Sequence, residues 1–260
     1  MNPEDRYEGL DYRKMISWSS RLQREWPLFA ELFADAPVRS ILDLGCGPGE
    51  HCARFALDGW QTVGVDASRS QIEAARQTHP DLDFVQADLG ELQSQVQGQS
   101  QLQGPFGAAV CIGNVLPSLD DDTFDRFLAQ LSGLLMPGAL FLIQQLEFGP
   151  ILSGQRRSIG PIFRPAEGDQ PQSAFLRIFC PAGDKRRVDF IPVRLHLHPG
   201  QDPPAKLERA ESIQWRARRR DDVEVALTGH GFTVEAVWGS PEKDDHDPVE
   251  GKDLWVLARR

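Results

Sequence analysis

The sequence lacks any long apolar run: no stretch in its 260 residues approaches the roughly 20 apolar residues of a membrane-spanning helix. Its opening, MNPEDRYEGLDYRK, is polar and has no apolar signal core, so a cytoplasmic protein with no membrane partner is expected. Cysteine is scarce. Cys46, Cys52, Cys111 and Cys180 show no CxxC spacing, which favours buried thiols over a disulfide frame, and no metal site is expected. A basic excess is also missing. Asp and Glu outnumber Lys and Arg by 38 to 28, a net charge of -10, which is a poor match to nucleic acid phosphates. The one basic run, Arg216 to Arg220 (RARRR), reads on so acidic a chain as a solvated stretch ahead of a helix.

What is present is an alternation of short apolar runs with helical patterns, in a chain long enough for one large domain with an insertion. VRSILDL, QTVGVD, LDFVQAD, AAVCIGN and ALFLIQQ read as five strands. Between them EHCARFALDG reads as a helix, Ser68 with Gln71 marks the start of another, and Phe124, Phe127, Leu128, Leu131, Leu134 and Leu135 mark a third, with Asp122 as its cap. This alternation predicts an α/β fold, a doubly wound parallel sheet with helices on both faces. Two regions break the rhythm. Gln93 to Gln103 is polar and low in complexity and reads as a flexible loop. Glu147 to about Trp215 is rich in Pro and Gly and holds AFLRIFC and RVDFIPVRLHLH, so an inserted antiparallel sheet is expected. In the latter, Val193, Leu195 and Leu197 alternate with Arg194, His196 and His198, a half-buried strand pattern. DDVEVALTGHGF then predicts a helix, and TVEAVWG and DLWVLAR two antiparallel neighbours. The first 35 residues read as helical, with Trp18, Leu22, Trp26, Phe29 and Phe33 as apolar positions.

The turn in ILDLGCGPGE, Ile41 to Glu50, lies between the first strand and a helix, where glycines let backbone approach a ligand. A dinucleotide fingerprint, G-x-G-x-x-G from Gly45, would need glycine at position 50, where this chain has Glu50. A carboxylate there repels a pyrophosphate, and Asp43 adds a second acid. The turn therefore suits a positively charged ligand without phosphate, and a nicotinamide-dependent dehydrogenase is disfavoured.

With these residues the chain resembles the seven-stranded, class I S-adenosylmethionine-dependent methyltransferases. ILDLGCGPGE is similar to their first motif, VGVDAS places Asp66 at the end of the second strand, FVQADL places Asp88 after the third, and VCIGNVLPSL and LMPGALFLI follow in family order. GEHCARFALDGWQTVGVDAS and CIGNVLPSL further resemble bacterial small-molecule N-methyltransferases of the glycine and sarcosine type. The resemblance implies a mostly parallel seven-stranded sheet, with a helical N-terminal lid segment over 1–36, a core over 37–146 and 217–260, and an inserted β-rich substrate lid over 147–216. It implies S-adenosylmethionine as cofactor, with S-adenosylhomocysteine as product, held by Trp18, Arg21, Asp43, Gly45, Cys46, Gly47, Gly49, Asp66, Ala67, Asp88, Leu89, Ile112 and Gly113. Asp66 would accept the ribose hydroxyls, Asp88 the adenine amino group, and Arg21 the cofactor carboxylate; Asn114 would stand at the reacting methyl.

One departure bears on the substrate. Glycine methyltransferases carry an arginine after strand five, and this chain has Leu146 there; Arg156, Arg157, Arg164 and Arg177 are candidate substitutes. The expected activity is methyl transfer to a small molecule, with nitrogen favoured. A non-catalytic cofactor-binding regulator, an O-methyltransferase and a macromolecule methyltransferase stay open. His51, His196, His198 and Glu147 are titratable residues of unassigned role.

Overall fold

The computed structural model describes residues 16–260 apart from 103, 167, 169, 170 and 185. Of the first 35 residues expected to be helical, Trp18–Leu32 is a helix, and residues 1–15 lie outside the described range. Two compact units result: Phe148–Ala217, and the rest of the chain up to Glu147 and from Arg218.

The larger unit begins with α1 (Trp18–Leu32), then β1 (Ser40–Leu44), α2 (Glu50–Leu57), β2 (Gln61–Asp66), α3 (Arg69–Thr78), β3 (Asp83–Gln86), α4 (Leu92–Gln99), β4 (Phe106–Cys111), α5 (Asp121–Leu134) and β5 (Leu135–Leu146). The smaller unit holds β6 (Ser158–Arg164), β7 (Gln172–Pro181), β8 (Arg187–Leu197), β9 (Ala205–Ala210) and β10 (Ile213–Arg216). The chain returns to the larger unit with α6 (Arg220–Gly229), β11 (Thr233–Trp238) and β12 (Asp253–Arg259).

A strand buried on both faces reads as an unbroken apolar run, because helices cover both sides of a parallel sheet. β1 and β4 are such strands, buried at every position. They sit in the middle of a seven-stranded sheet of order β11-β12-β5-β4-β1-β2-β3. β1 to β5 pair in parallel, Leu42 lying opposite Val63 on one side and Ala109 on the other. β12 runs antiparallel to β5, and β11 antiparallel to β12, so the last two strands are the neighbours their patterns predicted. This is the doubly wound, mostly parallel sheet expected from the alternation of elements.

Each face has its own core. Ala109, Cys111, Phe141 and Ile143 pack with Phe124, Phe127, Leu128 and Leu131 of α5 and Val223 and Leu227 of α6. Ala108, Val110, Leu140 and Leu142 point the other way, toward Phe29 of α1, Phe55 of α2 and Trp255. That second core is aromatic: Phe29 stacks on Phe55 with ring centroids 5.7 Å apart, and Phe33 meets Trp60 edge-on at 5.9 Å.

The smaller unit is an antiparallel sheet of order β10-β8-β7-β6, with β9 also pairing with β8. Its core stacks Phe190 on Trp215 at 4.2 Å and on Phe179 at 5.6 Å.

Four local expectations are corrected. Residues 93–99 are not a loop but most of α4, which buries Leu92 and Val96 under a polar exterior. The cap of α5 is Asp120, whose carboxylate accepts from Thr123 N at 2.7 Å, rather than Asp122, which lies inside the first turn. Arg218 is not solvated. Its side chain is 4% exposed, donates to the carbonyls of Leu116 and Leu119, pairs with Asp121 at 2.9 Å, and lies over the Phe124 ring. In β8 the more deeply buried positions are Val188, Phe190 and Pro192, in phase with Arg194 and His196 rather than with Val193 and Leu195. There Arg194 lies over the Phe175 ring and pairs with Glu208 at 2.6 Å, and His196 Nε2 lies 2.6 Å from the same carboxylate.

Candidate functional site

Strand order reverses between β1 and β4, and ligands of open α/β sheets bind at the carboxyl ends of strands beside such a switch point. The loops leaving β1, β2, β3 and β4 all reach this edge.

The β1–α2 loop is built by its glycines for different reasons. Gly45 has φ +78°, and a Cβ there would lie 2.2 Å from Val115 Cγ2. Gly49 has φ +82°, and a Cβ would lie 2.6 Å from Phe84. Gly47, at φ +53°, faces open space, with Gln71 Oε1 the nearest atom at 4.0 Å. The first and last glycines fit the loop into the protein; the middle one leaves room above it. Gly45 and Cys46 both donate to Val65 O, which anchors the turn on β2.

Asp66, at the end of β2, accepts from Gly47 N at 2.9 Å through Oδ2 and from Ser68 N at 2.8 Å through Oδ1. It thus fixes the glycine loop to the start of α3. Ala67 beside it is exposed. Asp88, after β3, is exposed and accepts from Gly90 N at 2.7 Å, while Leu89 is buried. After β4 the chain leaves the sheet at Ile112, and Gly113 and Asn114 both take positive φ, +86° and +71°. Gly113 N donates to Gln144 Oε1 at 2.7 Å, and Asn114 Oδ1 accepts from Leu146 N at 2.7 Å. Leu146 is buried and tied by its backbone to Asn114.

Asp43 is 2% exposed and accepts from the Cys52 thiol at 3.3 Å. Burial pushes its carboxyl above the ordinary range, and the nearby His51 and Arg21 offset only part of this. Burial also pushes the Cys46 thiol up to about 11, so it is a packing group and no nucleophile.

Helix α1 supplies the opposite charge. Arg21 lies over the Trp18 ring at 5.2 Å and pairs through Nε with Glu25 at 2.9 Å. Its Nη atoms sit 3.4–3.5 Å from where a Cβ on Gly113 would be. Glu25 in turn meets His51 Nε2 at 2.8 Å, and both are buried. Burial raises the Glu25 carboxyl, but the His51 hydrogen bond and the Arg21 charge win and hold it below its ordinary value. Trp18 packs edge-on against His51 at 5.3 Å, and its Nε1 is shielded from solvent with no hydrogen-bond partner among the described residues. The Glu25–His51 pair was not singled out by pattern; its members lie 26 residues apart on different helices.

The structure therefore brings Trp18, Arg21, Asp43, the glycine loop, Asp66 and Gly113 to one edge of one sheet, with Asp88 and Asn114 on the adjoining loops. The residues fit a ligand that is anionic at one end, where Arg21 and the Trp18 N–H donate, and carries hydroxyl or amino donors at the other, where Asp66 and Asp88 accept. No cluster of three or more His, Cys, Asp or Glu able to hold a metal ion occurs among the described residues. His196 and His198, with ring centroids 6.4 Å apart, belong to the smaller unit.

Comparison with known proteins gives this geometry a class. Residues 41–138 match the methyltransferase domain family. A SAM-bound amino pentose methyltransferase from Micromonospora echinaspora superimposes with a TM-score of 0.69, at 18% identity, over 98% of this chain and 96% of that one. The fold is the class I methyltransferase fold, and the domain match places its methyltransferase-like part over β1 to β5. Among curated relatives, a glycine/sarcosine N-methyltransferase of Parasynechococcus marenigrum (strain WH8102) is 25% identical over 146 residues, 54% of this chain and 50% of that protein. A trans-aconitate 2-methyltransferase of Azoarcus sp. (strain BH72) is 38% identical over 86 residues, 32% of each chain. The chain thus spans half the length of the first relative and about a third of the second.

Proposed function

We propose that the protein transfers the methyl group of S-adenosylmethionine to a small-molecule acceptor, with nitrogen as the accepting atom. The observation that carries this reading is the opposed pair of charge types across the glycine loop: Arg21 and the unpartnered Trp18 N–H on one side, Asp66 and Asp88 on the other. In this reading Arg21 and Trp18 hold the cofactor carboxylate by charge-assisted hydrogen bonds. Asp66 accepts from the ribose, Asp88 from the adenine amino group, and Gly47 gives the ligand room. Asp43, Gly45, Cys46, Gly49, Ala67, Leu89, Ile112 and Gly113 shape the remaining walls, and Asn114, whose Oδ1 is already engaged, offers its Nδ2 to the acceptor.

The bound cofactor supplies an activated methyl on a sulfonium. The protein's task is to hold the acceptor in line with it and to exclude water. Nitrogen is favoured by the likeness to a glycine/sarcosine N-methyltransferase and to an amino pentose methyltransferase. An acid acceptor is the second reading, favoured by the stretch shared with a trans-aconitate methyltransferase, whose named substrate has no nitrogen.

Calorimetric titration with S-adenosylmethionine and S-adenosylhomocysteine tests the reading. Wild type is expected to bind both, and Arg21→Ala and Asp88→Ala to weaken binding about tenfold or more, the size of one lost hydrogen bond to a charged group. Asp66→Ala is a poorer probe, because it also frees the glycine loop from α3. No binding by wild type overturns the reading.

A further inference from the structure

The cofactor half of the sheet edge is β1, β2 and β3; on the other side of the switch point stand β4, β5 and β12. At the end of β5, one residue past the Leu146 N–H that Asn114 accepts, Glu147 meets His246. His246 Nε2 lies 2.7 Å from Glu147 Oε2, and the side chains are 5% and 2% exposed.

We propose that His246, oriented by Glu147, is the base that takes the acceptor's proton during methyl transfer. The proposal rests on the methyltransferase reading above. Glu147, as a carboxylate, can only accept, so Nε2 carries the hydrogen and the lone pair is on Nδ1. Nδ1 has no hydrogen-bond partner among the described residues. The imidazole is thus held in one tautomer by a buried acid, the arrangement of a base and its orienting group.

A merely structural role would be to fasten the loop between β11 and β12, but that loop is fastened without it. Glu242 pairs with Arg24 at 2.7 Å, Lys243 with Glu31 at 2.5 Å, Ser240 Oγ donates to Asp244 at 2.8 Å, and Gly251 N donates to Asp247 O at 3.0 Å. The other core-unit histidine–acid pairs are placed for different work. His51 is enclosed by Trp18 and Phe29 on the cofactor side, and His230 has its Nδ1 engaged by Ala226 O. Glu147 bonds to His246, and Asp247 follows it in the chain. The Asp247 carboxyl is held low by the Val249 and Glu250 N–H groups, with His246 adding to the effect.

In the step itself the acceptor's lone pair forms the bond to the methyl carbon as the carbon–sulfur bond breaks, its pair staying on sulfur. The acceptor's proton passes to His246 Nδ1, where the Glu147 carboxylate stabilises the imidazolium until water takes the proton.

The test follows transfer of isotope-labelled methyl to glycine, sarcosine and an amino pentose, acceptors that must lose a proton, beside calorimetry with S-adenosylhomocysteine. His246→Gln is expected to bind S-adenosylhomocysteine as wild type does and to lose roughly 10²-fold or more in kcat, with the ascending limb of its pH profile gone. Glu147→Gln is expected to lose less and to move that limb. Wild-type kcat and profile in His246→Gln overturn the proposal while leaving the methyltransferase reading intact; failure of wild type to bind S-adenosylhomocysteine overturns both. Should a variant fail to fold, or no acceptor turn over, nitrogen-15 spectra of histidine-labelled wild type decide. An Nε2–H tautomer for the Glu147-bonded histidine supports the proposal, and an Nδ1–H tautomer overturns it.

Discussion

Gly45, Gly47 and Gly49 share a spacing but not a reason, and single substitutions should separate them. Gly45→Ala places a methyl against the branched Val115 side chain at positive φ, so it is expected to destabilise by about 2 kcal/mol or more in urea unfolding. Gly47→Ala meets only Gln71 Oε1, at 4.0 Å, and is expected to cost only about 1 kcal/mol, yet to weaken S-adenosylmethionine binding by filling the space above the loop. Equal binding by Gly47→Ala and wild type would show that the ligand lies elsewhere. Glu25 gives a pH signature. Its carboxyl is held below the ordinary 4.5, so its contribution to stability is fully present above that value and is lost as pH falls through the lowered one. Melting curves from about pH 6 to about pH 3 should therefore fall less steeply for Glu25→Gln than for wild type. The glycine spacing was legible because the turn is local. The Glu25–His51 and Glu147–His246 pairs were not, being 26 and 99 residues apart and joined only by folding.

Elements were legible in proportion to how much apolar surface each one buries. β1, β4 and α5 carry apolar runs or stripes that burial on the sheet requires, and all three stand where the pattern put them. α4 buries only Leu92 and Val96 among glutamines, so its pattern resembled a loop. Arg218 was misjudged because its partners, the carbonyls of Leu116 and Leu119, are about a hundred residues away in sequence, at separations of 102 and 99. α1 is the element on which the site depends most, since it carries Trp18, Arg21 and Glu25. Phe29, fully buried between Phe55, Trp26 and Trp255, fastens it. Phe29→Ala is expected to cost about 3–5 kcal/mol in unfolding and to weaken cofactor binding as α1 loosens. Retained affinity despite that loss of stability would show that α1 does not close the site.

For the molecule as a whole, the net charge of -10 sets a background that favours cations. S-adenosylmethionine carries a sulfonium charge that S-adenosylhomocysteine lacks. Binding of the first is expected to weaken by about two- to threefold between low and roughly 0.5 M salt, and binding of the second to change less, because salt screens the acids around the loop. Equal salt dependence would show that this background plays no part. The sequence by itself determined the alternating α/β order, the burial of the middle strands and the glycine turn at Gly45–Gly49, because these depend on neighbours within a few residues. Only the tertiary structure decided which charges meet. Arg21 over Gly113, Glu25 on His51 and Glu147 on His246 arise where separate elements are packed on one sheet edge, and no local periodicity records that.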